Sequence, residues 1–309
     1  MRKLIFLIFI LMSLFSARAY SGATEQDASR LNEQAVVLHQ QGKYQEAVSF
    51  SKRSLAIREK VLGPNHRDTA VSLTNLALLY KILGQYDKAL SLYRRALVIN
   101  EKVPGVNPSE VVLILNSLAM LYETIGEYSN ALALYQRSLA ISEIDLGLNH
   151  SATANSLSAL AGLYKTLGEY DKALPLSQRA LEINEKILGV DHRDIVFNLS
   201  TLSELYRILD QYDKAFPLSE RALEIDEKIL GPMHSETAAS ISNLAELFYE
   251  LGEYDKALPL NERALAINEK VFGLDHATTA TSLNNLAVTY KTIGEYDKAM
   301  PLYQSAQQC

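Results

Sequence analysis

Gly168-Glu169-Tyr170-Asp171-Lys172-Ala173-Leu174 is one copy of a phrase that the chain writes seven times. Its tyrosine returns at a constant spacing of 42 residues, as Tyr44, Tyr86, Tyr128, Tyr170, Tyr212, Tyr254 and Tyr296. The alanine three positions later returns with it, as Ala47, Ala89, Ala131, Ala173, Ala215, Ala257 and Ala299. Seven hits in register define a repeat protein, so reading the fold means reading one unit and how it stacks.

Within a unit, Leu73, Leu76, Ala77 and Tyr80 recur at i, i+3, i+4 and i+7, which places them along one face of a helix, helix A. Gly84-Gln85-Tyr86 ends it, because glycine accepts the left-handed conformation that terminates helices. Ala89, Leu92, Ala96, Leu97 and Ile99 form a second apolar stripe, helix B, running on through Glu101-Lys102. Leu62-Gly63-Pro64-Asn65-His66 closes a unit, and Asp68 or Thr69 is placed to accept a free backbone N–H at the start of the next. Pro175, Pro217, Pro259 and Pro301 fall early in helix B, where a missing N–H costs little. One helix pair cannot bury its apolar face alone, so neighbouring pairs must stack into a continuous all-α core.

The phrase Leu73-x2-Leu76-Ala77-x2-Tyr80, followed by Ala89 and Ala96, resembles the tetratricopeptide (TPR) pattern. Leucine stands in place of the family's tryptophan, alanine in place of its first glycine, and Glu101 where the short form has its helix-ending proline. The longer unit, with its Leu-Gly-x-x-His and Leu-x-Asn-Leu-Ala phrases, is similar to the kinesin-light-chain and nephrocystin type of TPR. The resemblance implies a right-handed α-solenoid of about seven stacked helix-turn-helix units over residues 29–309. The units start near residues 29, 70, 112, 154, 196, 238 and 280, and the last is incomplete.

Arg2 and Lys3 precede the apolar run Leu4–Met12, extended through Leu14 and Phe15, and Ala17-Arg18-Ala19 offers a small-x-small cleavage pattern. Residues 1–19 therefore read as a secretory signal, followed by a polar, flexible leader over 20–28. The run is well short of the roughly 20 residues a spanning helix needs, so no stable membrane insertion is expected. No cysteine follows it to carry a lipid. In a bacterium the product is periplasmic or secreted.

With 48% hydrophobic and 21% charged residues, the chain has ample apolar surface for a core. Its 30 Lys+Arg against 36 Asp+Glu give a net charge of −6, which argues against a nucleic-acid footprint. The single cysteine, Cys309, excludes an intramolecular disulfide framework and cysteine-built zinc sites, so packing holds the fold.

Five histidines stand in register, His66, His150, His192, His234 and His276, with Pro108 at that place in one unit. Equivalent residues of successive units lie at least about 8–10 Å apart, whereas zinc ligands sit about 2.1 Å from one ion, so these histidines read as loop or capping residues. No metal or cofactor is expected. Cys309 lacks a flanking base, and no Ser-His-Asp order, glycine-rich phosphate loop or H-E-x-x-H is present. The adjacent Glu-Lys pairs, such as Glu185-Lys186, read as solvated helix ends. Asn149-His150-Ser151 and Asn198-Leu199-Ser200 match the glycosylation sequon, which has meaning only in a eukaryotic host.

A column of small hydrogen-bonding residues carries the functional signal. In the TPR family helix A lines the concave groove, and by that resemblance one groove position reads Asn32, Thr74, Asn116, Ser158, Ser200, Ser242, Asn284. Further along lie Lys81, Lys165, Arg207 and Lys291, with Glu123 and Tyr249 between. The adjacent column offers Asn75, Asn243 and Asn285, the asparagines of the Leu-x-Asn-Leu-Ala phrase, while Ser117, Ala159 and Thr201 interrupt it. Polar side chains at a regular rise can grip the backbone of an extended peptide, and the cations can meet acidic side chains. Simple exposure would also make these positions polar.

Two readings follow. The first is a non-enzymatic, exported scaffold that holds a partner protein or extended peptide in the groove. The second is the sensor region of a longer enzyme, because bacterial chains resembling this one often continue into a caspase-like CHAT protease domain and this chain stops inside its seventh helix B. A further reading is self-association through the open ends of the solenoid.

Overall fold

The structure, a computed structural model, describes residues 22–308; the signal reading of residues 1–19 and Cys309 lie outside them. The chain divides into two compact units, Met1–Leu148 and Asn149–Cys309. The first holds three helix pairs: α1 (Glu25–Gln40) with α2 (Tyr44–Val61), α3 (Arg67–Ile82) with α4 (Tyr86–Lys102), and α5 (Pro108–Thr124) with α6 (Tyr128–Ile141). A wider helical turn at Ser142–Leu146 continues α6. The second holds four: α7 (Ser151–Thr166) with α8 (Tyr170–Leu188), α9 (Val196–Ile208) with α10 (Tyr212–Ile229), α11 (Ser235–Glu250) with α12 (Tyr254–Phe272), and α13 (Ala277–Thr292) with α14 (Tyr296–Gln308). Each unit is a stack of helix-turn-helix repeats of the α-solenoid class, with no strand among the described residues. Every helix B opens on the tyrosine of the repeated phrase.

The phrase is explained by what its residues do. Helix α3 ends in a Schellman turn: Gly84 at φ +69 donates to the Lys81 carbonyl, and Gln85 N–H donates to the Tyr80 carbonyl at 2.8 Å. The lysine two residues after the helix-opening tyrosine then reaches back over the aromatic ring that ends helix A. Lys88 lies 5.2 Å from the Tyr80 ring, and Lys172, Lys214, Lys256 and Lys298 repeat the contact on Tyr164, Tyr206, Phe248 and Tyr290. The recurrent alanine is buried in every repeat, all seven copies being at most 2% exposed.

Repeats are joined to their successors by apolar packing and by one buried polar contact. Leu181, Ile195, Leu199, Leu202, Tyr206, Ile225, Leu244 and Leu247 form one core cluster across the fourth to sixth repeats. At four junctions, a residue late in helix B bonds to the residue 14 positions on, in the next helix A. The pairs are Arg58 with Ser72 at 3.0 Å, Asn184 with Asn198 at 2.8 Å, Asp226 with Ser240 at 2.6 Å, and Asn268 with Ser282 at 2.8 Å. Asn198 is 5% exposed, which removes the Asn198-Leu199-Ser200 sequon as a modification site in the folded chain.

Three local expectations change. The array starts earlier than residue 29, because Thr24 and Asp27 form a capping box that launches α1 at Glu25. The residue that caps each following helix A is the histidine, not Asp68 or Thr69. Nδ1 of His66, His150, His192, His234 and His276 accepts from the N–H two residues on, at 3.1 to 3.2 Å, and Asn107 does so at 3.0 Å where Pro108 breaks the series. Thr69 instead donates to the Gly63 carbonyl at 2.9 Å. The prolines sit one turn deeper than the free N–H positions: Pro175 lies inside α8, which runs on unbroken. Pro175 and Asp171, whose carbonyl loses its partner, are both exposed, so water can bond that carbonyl.

Candidate partner-binding site

The helix A positions at i, i+3, i+4 and i+7 that do not face the core form the candidate surface in each unit. In the first unit Asn75 Nδ2 donates to Asn32 Oδ1 at 2.9 Å, so the two asparagines form the rungs of one ladder. They border a cavity of about 200 Å³ whose other walls are Ala35, Val36, His39, Leu78 and Leu79, with Ser51 beneath. Asn116 is half-buried at the next rung. Thr74 spends its hydroxyl on its own helix, donating to the Ala70 carbonyl at 3.0 Å. The rest of this face is apolar: Val36, Val71, Leu78, Leu113 and Met120 are each between 38% and 59% exposed. Lys81 is half-buried, and desolvation holds its ammonium below the ordinary lysine range against the pull of Glu123.

The second unit carries the same positions with different chemistry. Ser158, Ser200 and Asn243 line a cleft of about 440 Å³ together with Lys165, Glu204, Arg207, Glu246 and the exposed ring of Phe197. Ser158 accepts from Asn198 Nδ2 at 2.9 Å, while Ser242 donates to the Ala238 carbonyl at 3.0 Å. A second cleft of about 410 Å³ between the sixth and seventh repeats is lined by Ser242, Asn243, Glu246, Asn268, Ser282 and Asn285, among others. Asn284 and Lys291 are exposed on α13 and line neither cleft.

Two of the cations expected to meet an acidic partner, Lys165 and Arg207, already have carboxylates beside them. Lys165 lies 2.6 Å from Glu204, and Arg207 contacts Glu250 and lies 3.4 Å from Glu246. Glu204 and Glu246 belong to a helix A position that reads Val36, Leu78, Met120, Gly162, Glu204, Glu246 and Val288 along the chain. The sequence reading missed this position because it followed polar columns, and this one changes from apolar to acidic partway. Its only signal was the change itself. Burial raises the Glu246 carboxyl above its ordinary value; Arg207 opposes the shift, and Glu250 and Glu204 add to it.

Among the described residues, no cluster of His, Cys, Asp and Glu could hold a metal ion, and no helix is long and apolar enough to cross a membrane. A tetratricopeptide-repeat model matches residues 27–102, 110–186, 153–228, 194–270 and 236–308, and a second model of the same description matches 74–143. Among solved structures, the nearly identical TPR-like repeats of a kinesin-light-chain-type protein from Podosopora anserina are 26% identical, with a TM-score of 0.58 over 65% of this chain and 95% of that one. The apo form of RapI is 19% identical, with a TM-score of 0.69 over 91% of this chain and 96% of that one. A Rap protein complexed with competence and sporulation factor is 17% identical, with a TM-score of 0.62 over 91% and 74% of the two chains. No curated protein matches.

Proposed function

This chain belongs to the tetratricopeptide-repeat family, in its kinesin-light-chain type, and from that premise we propose that it is a non-enzymatic scaffold holding a partner protein or an extended peptide on its helix A faces. The observation that carries this reading is the ladder of side-chain amides and hydroxyls on those faces, opening on clefts in both units. Amides offer a donor and an acceptor at one point, which suits a peptide backbone. The apolar face of the first unit suits the partner's hydrophobic side chains, and the charged face of the second suits its polar ones. Asn32, Asn75, Asn116, Ser158, Ser200, Ser242, Asn243, Asn284 and Asn285 are the gripping residues in this account, with Lys81, Lys165, Arg207 and Lys291 supplying charge. The net charge of −6 supports a protein rather than a nucleic acid as partner. The basic-then-apolar start of the chain supports export, to the periplasm or the medium in a bacterium.

The test is selection of a random linear-peptide library on the full chain. The combined Asn75→Ala, Asn243→Ala and Asn285→Ala variant should bind the enriched peptides at least about ten-fold more weakly with unchanged far-UV circular dichroism. Equal affinity would remove the groove assignment.

A further inference from the structure

The cleft between the sixth and seventh repeats has a base that the groove reading does not use. Asn268, on α12, is 3% exposed and lines it. Its Nδ2 donates to Ser282 Oγ at 2.8 Å, while its Oδ1 is buried without a hydrogen-bond partner. The Ser282 hydroxyl also lies 3.4 Å from the Thr278 carbonyl, to which it donates while its oxygen accepts from the Asn268 amide. A buried carbonyl without a donor is an unfavourable group that a ligand N–H relieves.

The remaining lining narrows the ligand. Glu246 is the cleft's only charged side chain, and Asn243, Asn285, Ser242 and Ser282 are neutral hydrogen-bonding groups. An anionic side chain would face Glu246, and an apolar one would leave Asn268 Oδ1 unpaired and cover the polar wall. A long side chain ending in several N–H donors satisfies both groups at once. We propose that this cleft is a specificity pocket for one basic side chain, arginine or lysine, of the bound segment, with Glu246 facing its charge and Asn268 accepting at its base. The proposal rests on the groove reading and adds the chemistry of one partner position. The environment of Glu246 supports it. Desolvation is the largest cause of the upward shift there, Arg207 opposes it and Glu250 and Glu204 add to it, so an incoming cation favours the charged carboxylate.

The experiment uses the random linear-peptide library on the full chain, then an enriched peptide remade with citrulline, the neutral isostere, at its arginine. The expected result is enrichment of Arg or Lys at one fixed position and a loss of about ten-fold in affinity with citrulline. That discrimination should vanish for Glu246→Gln. It should grow for Asn268→Asp, which installs the residue that stands at the same register as Asp226. Enriched peptides without a fixed basic position, or equal binding of arginine and citrulline forms, would overturn the pocket while leaving the groove standing. Failure to enrich any peptide would remove the groove reading and the pocket with it.

Discussion

Asp226 accepts the Ser240 hydroxyl at 2.6 Å where both residues are almost sealed from water, at 1% and 3% exposure. Three repeats of the second unit use this contact between helix B and the next helix A, but Asn184 and Asn268 make it with a neutral amide. Burial pushes the Asp226 carboxyl above its ordinary value, with Ser240 pulling the other way. A carboxyl whose pKa is higher in the folded state than the unfolded value of 3.8 favours folding most below that value, and the contribution is lost as pH rises through the folded pKa. Asp226→Asn should therefore raise stability at neutral pH, by about 1 kcal/mol, with the gain shrinking below the unfolded pKa. Urea unfolding at both ends of that range checks it; a loss of stability at neutral pH would contradict the account.

Asn198, itself buried, accepts from Asn184 and donates to Ser158, so Asn198→Ala leaves two half-buried partners unpaired and should cost about 1–3 kcal/mol. Asn284→Ala, on an exposed position of α13, should stay within about 0.5 kcal/mol of the parent. Comparable denaturant midpoints for the two variants would contradict the assignment of one to structure and the other to the binding face.

The histidine caps make a comparable pair. His234→Ala removes the acceptor for the Glu236 N–H and should cost about 0.5–2 kcal/mol, whereas His234→Asn should keep most of it, as Asn107 caps α5. Thermal unfolding of the two variants side by side measures the difference.

Legibility tracked how local the determining physics is. The 42-residue period, the two helices, and the glycine between them rest on neighbours within one repeat, and all were readable from the chain. Asp210 shows the limit of that local rule: it occupies the glycine's place at φ +55, a conformation that aspartate tolerates better than most residues. What the chain did not disclose are contacts between repeats. Glu204 meets Lys165 from 39 residues away and Glu250 meets Arg207 from 43, distances that only stacking makes short. The polar series at half-buried Asn184 and buried Asp226 and Asn268 was hidden because a polar residue near the end of an amphipathic helix reads as exposed.

Gly84→Ala isolates the backbone term. No atom lies within 4 Å of where a Cβ would sit, so the cost is that of a non-glycine residue at φ +69, about 1–2 kcal/mol. A neutral effect in denaturant unfolding would contradict the role given to the Schellman turn.

Glu246 should titrate above the ordinary glutamate value of 4.5 in a carboxyl-carbon NMR titration, and higher still in Arg207→Ala, which removes the opposing cation. A midpoint at or below 4.5 in the parent would contradict the desolvation assigned to Glu246.

The most direct measurement of the central claim is a cross-linking map. A peptide enriched on the full chain, remade with benzoylphenylalanine at successive positions, is irradiated in complex and the attachment sites are read by mass spectrometry. The account predicts attachment to the candidate faces of the first helix of each repeat, near Leu78, Met120, Phe197, Asn243 and Asn285. Attachment concentrated on the second helices, such as the surface around Gln178, Pro217 and Leu218, would contradict it.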